Sequence, residues 1–400
     1  MNDDPSGSKQ YPTDLPSLAA ALVRIESENP PGNESACAEY VHEWFTYHGV
    51  DSTVVDKPDP DRQQVGARIG SGRPTLVLNG HLDVVPAGDP DEWTFPPYGG
   101  VIEDGRLYGR GSVDMKTAVA IAMLVALDLR SEIENGSLDG SIVVHAAMGE
   151  ETADPGTKSL LDAGFDGDVG VVLEPTQCRV ATSEKGMAWY EISWPGEPAH
   201  ASDPDQGTNP IDHVRSVLAK LDDYDARLRE RRDPLCGRAY ATVTQISAGA
   251  GSNKAVLADR ASVILDRRIL PDETISEVDD EVDGVISELN RDLSIEATWE
   301  RAETYSSAEI PIDHPLAEVF REHSTAVADV SPEPWGIRAS TDVRDFINHA
   351  DIPAITWGPG SLAQAHTVDE YVDLNDMKDG LEILKRTART ILSRDVSEFN

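Results

Sequence analysis

Several uninterrupted apolar runs in this chain stop at a residue that can hold a metal or a proton. TLVLN, residues 75–79, leads through Gly80 into His81-Leu82-Asp83. SIVVHAAM, residues 141–148, leads through Gly149 into Glu150-Glu151, and the run at 169–173 leads into Glu174. Runs this short and this apolar suit strands covered on both faces. Residues 116–130 (KTAVAIAMLVALDLR) are Ala-rich and apolar nearly all round, as in a buried helix. Amphipathic stretches at 16–27 and 36–48 predict two more helices. Strands alternating with helices argue for an α/β fold.

Near residue 186 the pattern changes. Strand 187–194, helix 209–231, strands 239–247 and 255–268, helix 274–290 and strand 293–301 give the order βαββαβ, a ferredoxin-like unit. The α/β pattern then resumes: helix 314–327, a loop through Pro332 and Pro334, helix 341–349, strand 353–357 and helix 375–393. The expected organisation is one α/β domain, residues 1–185 and 303–400, interrupted by an inserted unit at 186–302.

The 400 residues include 72 acids and 34 bases, a formal charge of −38. Such a charge repels nucleic acid and anionic membranes, so neither is expected as a partner. The acids are spread among apolar runs and 7 Trp, which implies a folded protein with an acidic surface. That surface suits a halophilic protein, since molar salt cuts the Debye length to about 3 Å. Three cysteines (Cys37, Cys178, Cys236) without a Cys-x-x-Cys do not suggest a disulfide framework or thiolate metal site. Met1–Thr13 lacks the pattern of a signal peptide, and no apolar run is long enough to span a membrane, so the cytoplasm is the expected location.

The candidate ligands are His81, Asp83, Asp114, Glu150, Glu151, Glu174 and His366. Imidazole and carboxylate without thiolate favour hard to borderline divalent ions. The acid content exceeds what one zinc needs and suits two metals bridged by a carboxylate. Each residue also has a plainer reading. Asp83 can hold the His81 ring, since period-2 geometry puts both on one side. Asp114, in YGRGSVDMKTAVA, is equally placed to cap the helix it precedes. Glu150-Glu151 is by itself an ordinary solvated turn. As neighbours on extended chain they point apart, so one can bind metal while the other serves as a base. Glu174 precedes Pro175, which keeps it out of a helix. His366, in the Gly-rich GPGSLAQAHTVDE, is by itself an exposed loop histidine. What joins them is position, because nearly every one falls at the C-terminal end of a strand of one sheet, where such sheets bind ligands.

NGHLDVVP, GRGSVDMK, GEE, LEPT and AHTVDE stand in the order of a dinuclear zinc hydrolase family, and SENPPGNE also resembles it. This is the family of acetylornithine deacetylase, succinyl-diaminopimelate desuccinylase, aminoacylase and glutamate carboxypeptidase. The resemblance covers almost the whole chain. It implies a mixed-sheet, zinc-exopeptidase-like catalytic domain, and for the insert a lid or dimerisation domain. It also implies that Asp114 bridges two ions, with His81 and Glu174 completing one and Glu151 and His366 the other. Asp83 would orient His81, and Glu150 would be general base and acid. The Asp114-Met115 peptide would be cis. Thr117 departs from the Gly many relatives carry there. The resemblance further implies that His200, in GEPAHASDPDQGTNPI, stabilises an oxyanion across a homodimer, and that Asn253, Arg268 and Arg344 grip substrate. An Arg fork suits a carboxylate, although surface ion pairing is the plainer role in so acidic a chain.

The function expected is amide hydrolysis of an N-acyl amino acid or similar small carboxylate-bearing amide, an activity of amino-acid metabolism. Two zinc ions are the expected cofactors, with cobalt or manganese also suited to the ligands. A di- or tripeptidase or carboxypeptidase on the same scaffold is the alternative, and a catalytically silent binding protein the alternative of another class.

Overall fold

The computed structural model describes residues 11–152, 154–251 and 253–399. Residues 1–10 of the amino-terminal segment considered above lie outside that set. Two compact units emerge. One holds the chain through Thr182 with Ile310–Trp335 and everything from Thr341. The other holds Ser183–Glu309 with Gly336–Ser340, so it starts three residues before position 186, extends seven past 302, and adds a short later segment.

The first unit is built on a mixed sheet. Its four central strands, in spatial order Ser141–Ala147, Thr75–His81, Val169–Val172 and Ala354–Thr356, are mutually parallel. Gln64–Ile69 and then Ser52–Val55 add antiparallel strands outside Ser141–Ala147. At the other side Ala181 pairs antiparallel with Thr356. Every residue of Thr75–His81 and Ser141–Ala147 is buried, as suits their largely apolar sequence. The Lys116–Glu134 helix buries all of Lys116–Ala126. Gly80 permits its close approach, for a Cβ there would lie 2.9 Å from Val119 Cγ2. The core also takes in Trp44, Phe45, Phe320 and Trp357.

The second unit has a four-stranded antiparallel sheet in the order Tyr240–Ala248, Arg260–Ile269, Gly186–Pro195, Thr298–Tyr305. With helices Val214–Leu228 and Ile275–Leu293 this is the ferredoxin-like arrangement. Val278, Val282, Val285, Ile286 and Leu289 form the buried stripe of the second helix, packed in a core with Tyr190, Ile192 and Trp194. A reciprocal Thr274–Glu277 capping box starts that helix.

Some elements differ from the sequence expectation. Helix 209–231 shortens to Val214–Leu228 because Asn209 caps a separate 3-10 turn at Pro210–His213. Strand 255–268 begins only at Arg260. Helix 341–349 reduces to one π turn, Asp345–His349. Among the described residues, no helix is long and apolar enough to cross a membrane.

Candidate metal centre

The candidate ligands gather where the parallel strands end. His81 is the last residue of its strand, Glu150 and Glu151 begin a 3-10 turn just past Ser141–Ala147, and Glu174 lies just past Val169–Val172. Asp114 comes from the turn before the buried helix, and its peptide to Met115 is cis. Met115, not Asp114, occupies the N-cap of that helix and makes no side-chain cap. His366 follows the Ala354–Thr356 strand in a loop, with φ of 60°.

Asp114 stands in the middle. Its Oδ1 lies 3.2 Å from His81 Nε2 and its Oδ2 lies 3.3 Å from His366 Nε2. One carboxylate therefore presents a different oxygen to each imidazole, as a bridging ligand would. Glu151 Oε2 is 3.0 Å from His366 Nε2, and Glu174 Oε1 is 3.7 Å from His81 Nε2. His81, Asp114 and Glu151 each offer a ligand atom within 4.8 Å of the other two, and so do His81, Glu150 and Glu174. Glu150 thus sits beside the cluster.

Asp83 differs from the expectation. His81 Nδ1 lies 2.9 Å from the main-chain carbonyl of Asp83 and 3.6 Å from its carboxylate. Ring orientation is thus a main-chain contact, and the carboxylate is engaged elsewhere. Asp83 Oδ1 accepts the N–H groups of Gly149 and Glu150, and Oδ2 accepts those of Glu151 and the Asn29 side chain. Asp83 anchors the turn that carries Glu150 and Glu151. Gly149 makes that turn possible with φ of +83° and no room for a Cβ against Asp154. The Asn29 amide also donates to Thr152 Oγ1 at 2.6 Å, tying the far side of the turn. Sequence reasoning noted the SENPPGNE motif but gave Asn29 no task, because its partners lie 54 and 123 positions away.

The electrostatics are those of an acid cluster short of cations. Burial pushes the Glu150 and Glu174 carboxyls well above the ordinary range, with Asp114 the next cause at Glu174. Burial also raises Glu151. Asp114 is driven down despite its burial, by hydrogen bonds from His366 and His81. Burial opposes protonation of His81, but Asp114 and the neighbouring carboxylates outweigh it and raise the imidazole well above its usual value. Hydrogen bonds to Asp114 and Glu151 lift His366 to about 10.

These residues fit divalent cations. Glu174 Oε1 is buried with no hydrogen-bond partner. Among the described residues, only imidazoles lie within ion-pair distance of Asp114, Glu151 and Glu174. Three carboxylates and two imidazoles, with a fourth carboxylate from Glu150 beside them, offer nitrogen and oxygen donors only, the set that divalent ions of this class prefer.

The remaining candidates are placed less simply. Arg344 belongs to the first unit and is buried, 8% exposed. Its guanidinium donates to the Thr341 carbonyl at 2.6 Å and to Asp342 Oδ1 at 3.3 Å. His200, Asn253 and Arg268 belong to the second unit. His200 is exposed, and its Nδ1 contacts the Ser202 hydroxyl at 2.8 Å. Asn253 is exposed and accepts the Ala255 N–H. Arg268 pairs with Asp266 at 2.8 Å.

Comparison with known proteins gives the chain's relatives in sequence and in fold. A probable succinyl-diaminopimelate desuccinylase of Staphylococcus epidermidis is 26% identical over 403 residues, covering 94% of this chain and 97% of its own. An M20-family metallo-carboxypeptidase from Sulfolobus solfataricus has the same fold, with a TM-score of 0.78 at 15% identity over 95% of this chain and 99% of its own. A dinuclear metal-binding peptidase of that family from Bacillus subtilis superposes with a TM-score of 0.67 at 14% identity, over 95% of this chain and 98% of its own. Residues 77–390, from the His81 strand to the last helix, match peptidase family M20/M25/M40, and the chain is a hydrolase belonging to that family.

Proposed function

We propose that this chain is a two-metal hydrolase that cleaves the amide of an N-acyl amino acid or a similar small, carboxylate-bearing amide. The observation that carries the metal reading is Asp114, whose two oxygens face His81 and His366 separately. His81, Asp114 and Glu174 would hold one ion, and Asp114, Glu151 and His366 the other. Ions bound there would lower the pKa of water toward neutrality and polarise the amide carbonyl.

The chain's own groups do the rest. Glu150 lies among the ligands, and its raised proton affinity suits a group that takes a proton from water and returns it to the leaving amine. Asp83 and Asn29 hold the backbone of Glu150 in place. His200 is proposed to stabilise the oxyanion, from the partner subunit of a homodimer formed through the inserted unit, which would act as a lid. Asn253, Arg268 and Arg344 are proposed to grip the substrate carboxylate. Arg344 would do so while keeping its bonds to Thr341 and Asp342. Zinc is the proposed metal, with cobalt or manganese able to replace it. A cytoplasmic location and a halophilic source complete the reading, the latter from the charge of −38.

Similarity to a desuccinylase along nearly the full length favours deacylation. A fold shared with a metallo-carboxypeptidase and a dinuclear metal-binding peptidase keeps cleavage of small peptides, by a di- or tripeptidase or a carboxypeptidase, as the second reading. The test is hydrolysis of N-acetyl and N-succinyl amino acids against dipeptides and tripeptides, at molar salt with zinc, cobalt or manganese. Cleavage of the acyl amino acids, slowed about 10²–10⁴-fold by Glu150→Gln, is expected. Cleavage of peptides alone would select the second reading. No hydrolysis by metal-loaded protein would refute both.

A further inference from the structure

We infer that Glu370 is a positioning residue that locks the loop of His366 to the loop of Asp114 and so fixes the second metal site. The inference rests on the two-ion reading above. AHTVDE ends at this residue, and the proposed chemistry uses only its histidine. Glu370 is fully buried. Its Oε1 accepts the backbone N–H groups of Val113 at 3.0 Å and Asp114 at 3.2 Å. Its Oε2 accepts Arg110 Nη1 at 2.5 Å, and its main-chain carbonyl accepts the Gly109 N–H at 2.9 Å. A single residue thus grips the Gly109–Asp114 turn at four points, from about 260 positions away in sequence.

The same carboxylate stands four residues after His366. Arg110 strengthens the link by also donating to the Thr367 carbonyl at 3.3 Å. The neighbouring Asp369 accepts both the N–H and the hydroxyl of Thr94. The loop bearing half-exposed His366 is therefore held from its C-terminal side. Asp114 Oδ2 and His366 Nε2 meet at 3.3 Å because the two loops are joined through Glu370. His81 and Glu174 sit at strand ends held by the sheet and do not depend on this joint. Outer partners that orient metal ligands typically change affinity by about 10–100-fold when lost.

The test is Glu370→Gln. Glutamine fills the same volume but must turn its NH2 toward either the Asp114 amide or the Arg110 guanidinium, so one set of donors loses its acceptor. Metal-free wild type and variant are titrated with cobalt, following the visible spectrum, with zinc content measured after dialysis against a chelator. The expected result is a second equivalent, which relies on both joined loops, bound about 10–100-fold more weakly. The first equivalent, which keeps His81 and Glu174 at their strand ends and shares only Asp114, should be weakened distinctly less, with the variant still folded by circular dichroism. Two equivalents bound as in wild type would overturn the inference. So would equal weakening of both, which would mean general loosening of the fold. Wild type taking up only one equivalent would bring down the two-ion reading itself, a failure visible without the variant. If Glu370→Gln does not fold, Arg110→Gln, which leaves the carboxylate on the Asp114 amide, serves in its place. It must then show the same selective loss.

Discussion

Asp83→Asn separates two accounts of the residue next to His81. If its carboxylate held the imidazole, the variant would lose a contact of 3.6 Å, too long for a hydrogen bond, and stability would barely change. The hydrogen bonds point to a larger effect. Each carboxylate oxygen takes two donors: Gly149 and Glu150 on one, Glu151 and Asn29 on the other. The asparagine NH2 must face one of those pairs. Two hydrogen bonds to a charged acceptor are lost, at about 1.5–3 kcal/mol each, so the expected loss is about 3–6 kcal/mol. Against a typical total of about 5–15 kcal/mol this is large. Urea unfolding at molar salt reads it globally, and hydrogen exchange of the 149–151 amides reads it locally. Turnover should fall as well, because Glu150 rides on the same turn. A variant within about 1 kcal/mol of wild type, with those amides still protected, would refute the turn-anchor reasoning.

Other expectations follow from the same geometry. Glu150→Gln should lower turnover by about 10²–10⁴-fold with both metal equivalents retained, measured by kinetics beside metal analysis; near-normal turnover would show that the base lies elsewhere. His145 is buried with Nε2 on the Phe165 carbonyl at 2.7 Å, and burial holds its pKa down at about 4. The native chain therefore takes up this proton later than the unfolded chain as pH falls. Stability present above about pH 6.5 is lost toward pH 4, by about 3 kcal/mol, and His145→Gln should remove that part of the acid slope in denaturant titrations. Removing salt below roughly the molar range should lower stability, because self-repulsion among 72 acids and 34 bases is then less screened; full stability in dilute buffer would contradict the halophilic reading.

The parts of this molecule legible in its sequence are those set by local pattern. VLNGH and VVHAAMGEE place ligands at strand ends because an unbroken apolar run forces a doubly covered strand, and the next polar residue must emerge at its end. Glu174 was legible for the same reason. The βαββαβ order of the insert followed from its periodicities. What stayed hidden depends on partners far away in the chain. Nothing near Asp83 announces that three backbone N–H groups beyond position 148 will converge on its carboxylate. Nothing near Glu370 announces the turn at Asp114. Arg344 offered either a grip on substrate or a surface ion pair, and nothing near it announces that the chain buries it against Asp342 and Thr341. The antiparallel outer strands Ser52–Val55 and Gln64–Ile69 were also missed, being short and mixed in polarity.

The most direct measurement is a zinc-loaded crystal with data collected at the metal's absorption edge. Two anomalous peaks about 3.5–4 Å apart, one on each side of the Asp114 carboxylate and reaching His81 and His366 respectively, are the predicted result. A single peak, or peaks that leave Asp114 without a metal contact, would contradict the account.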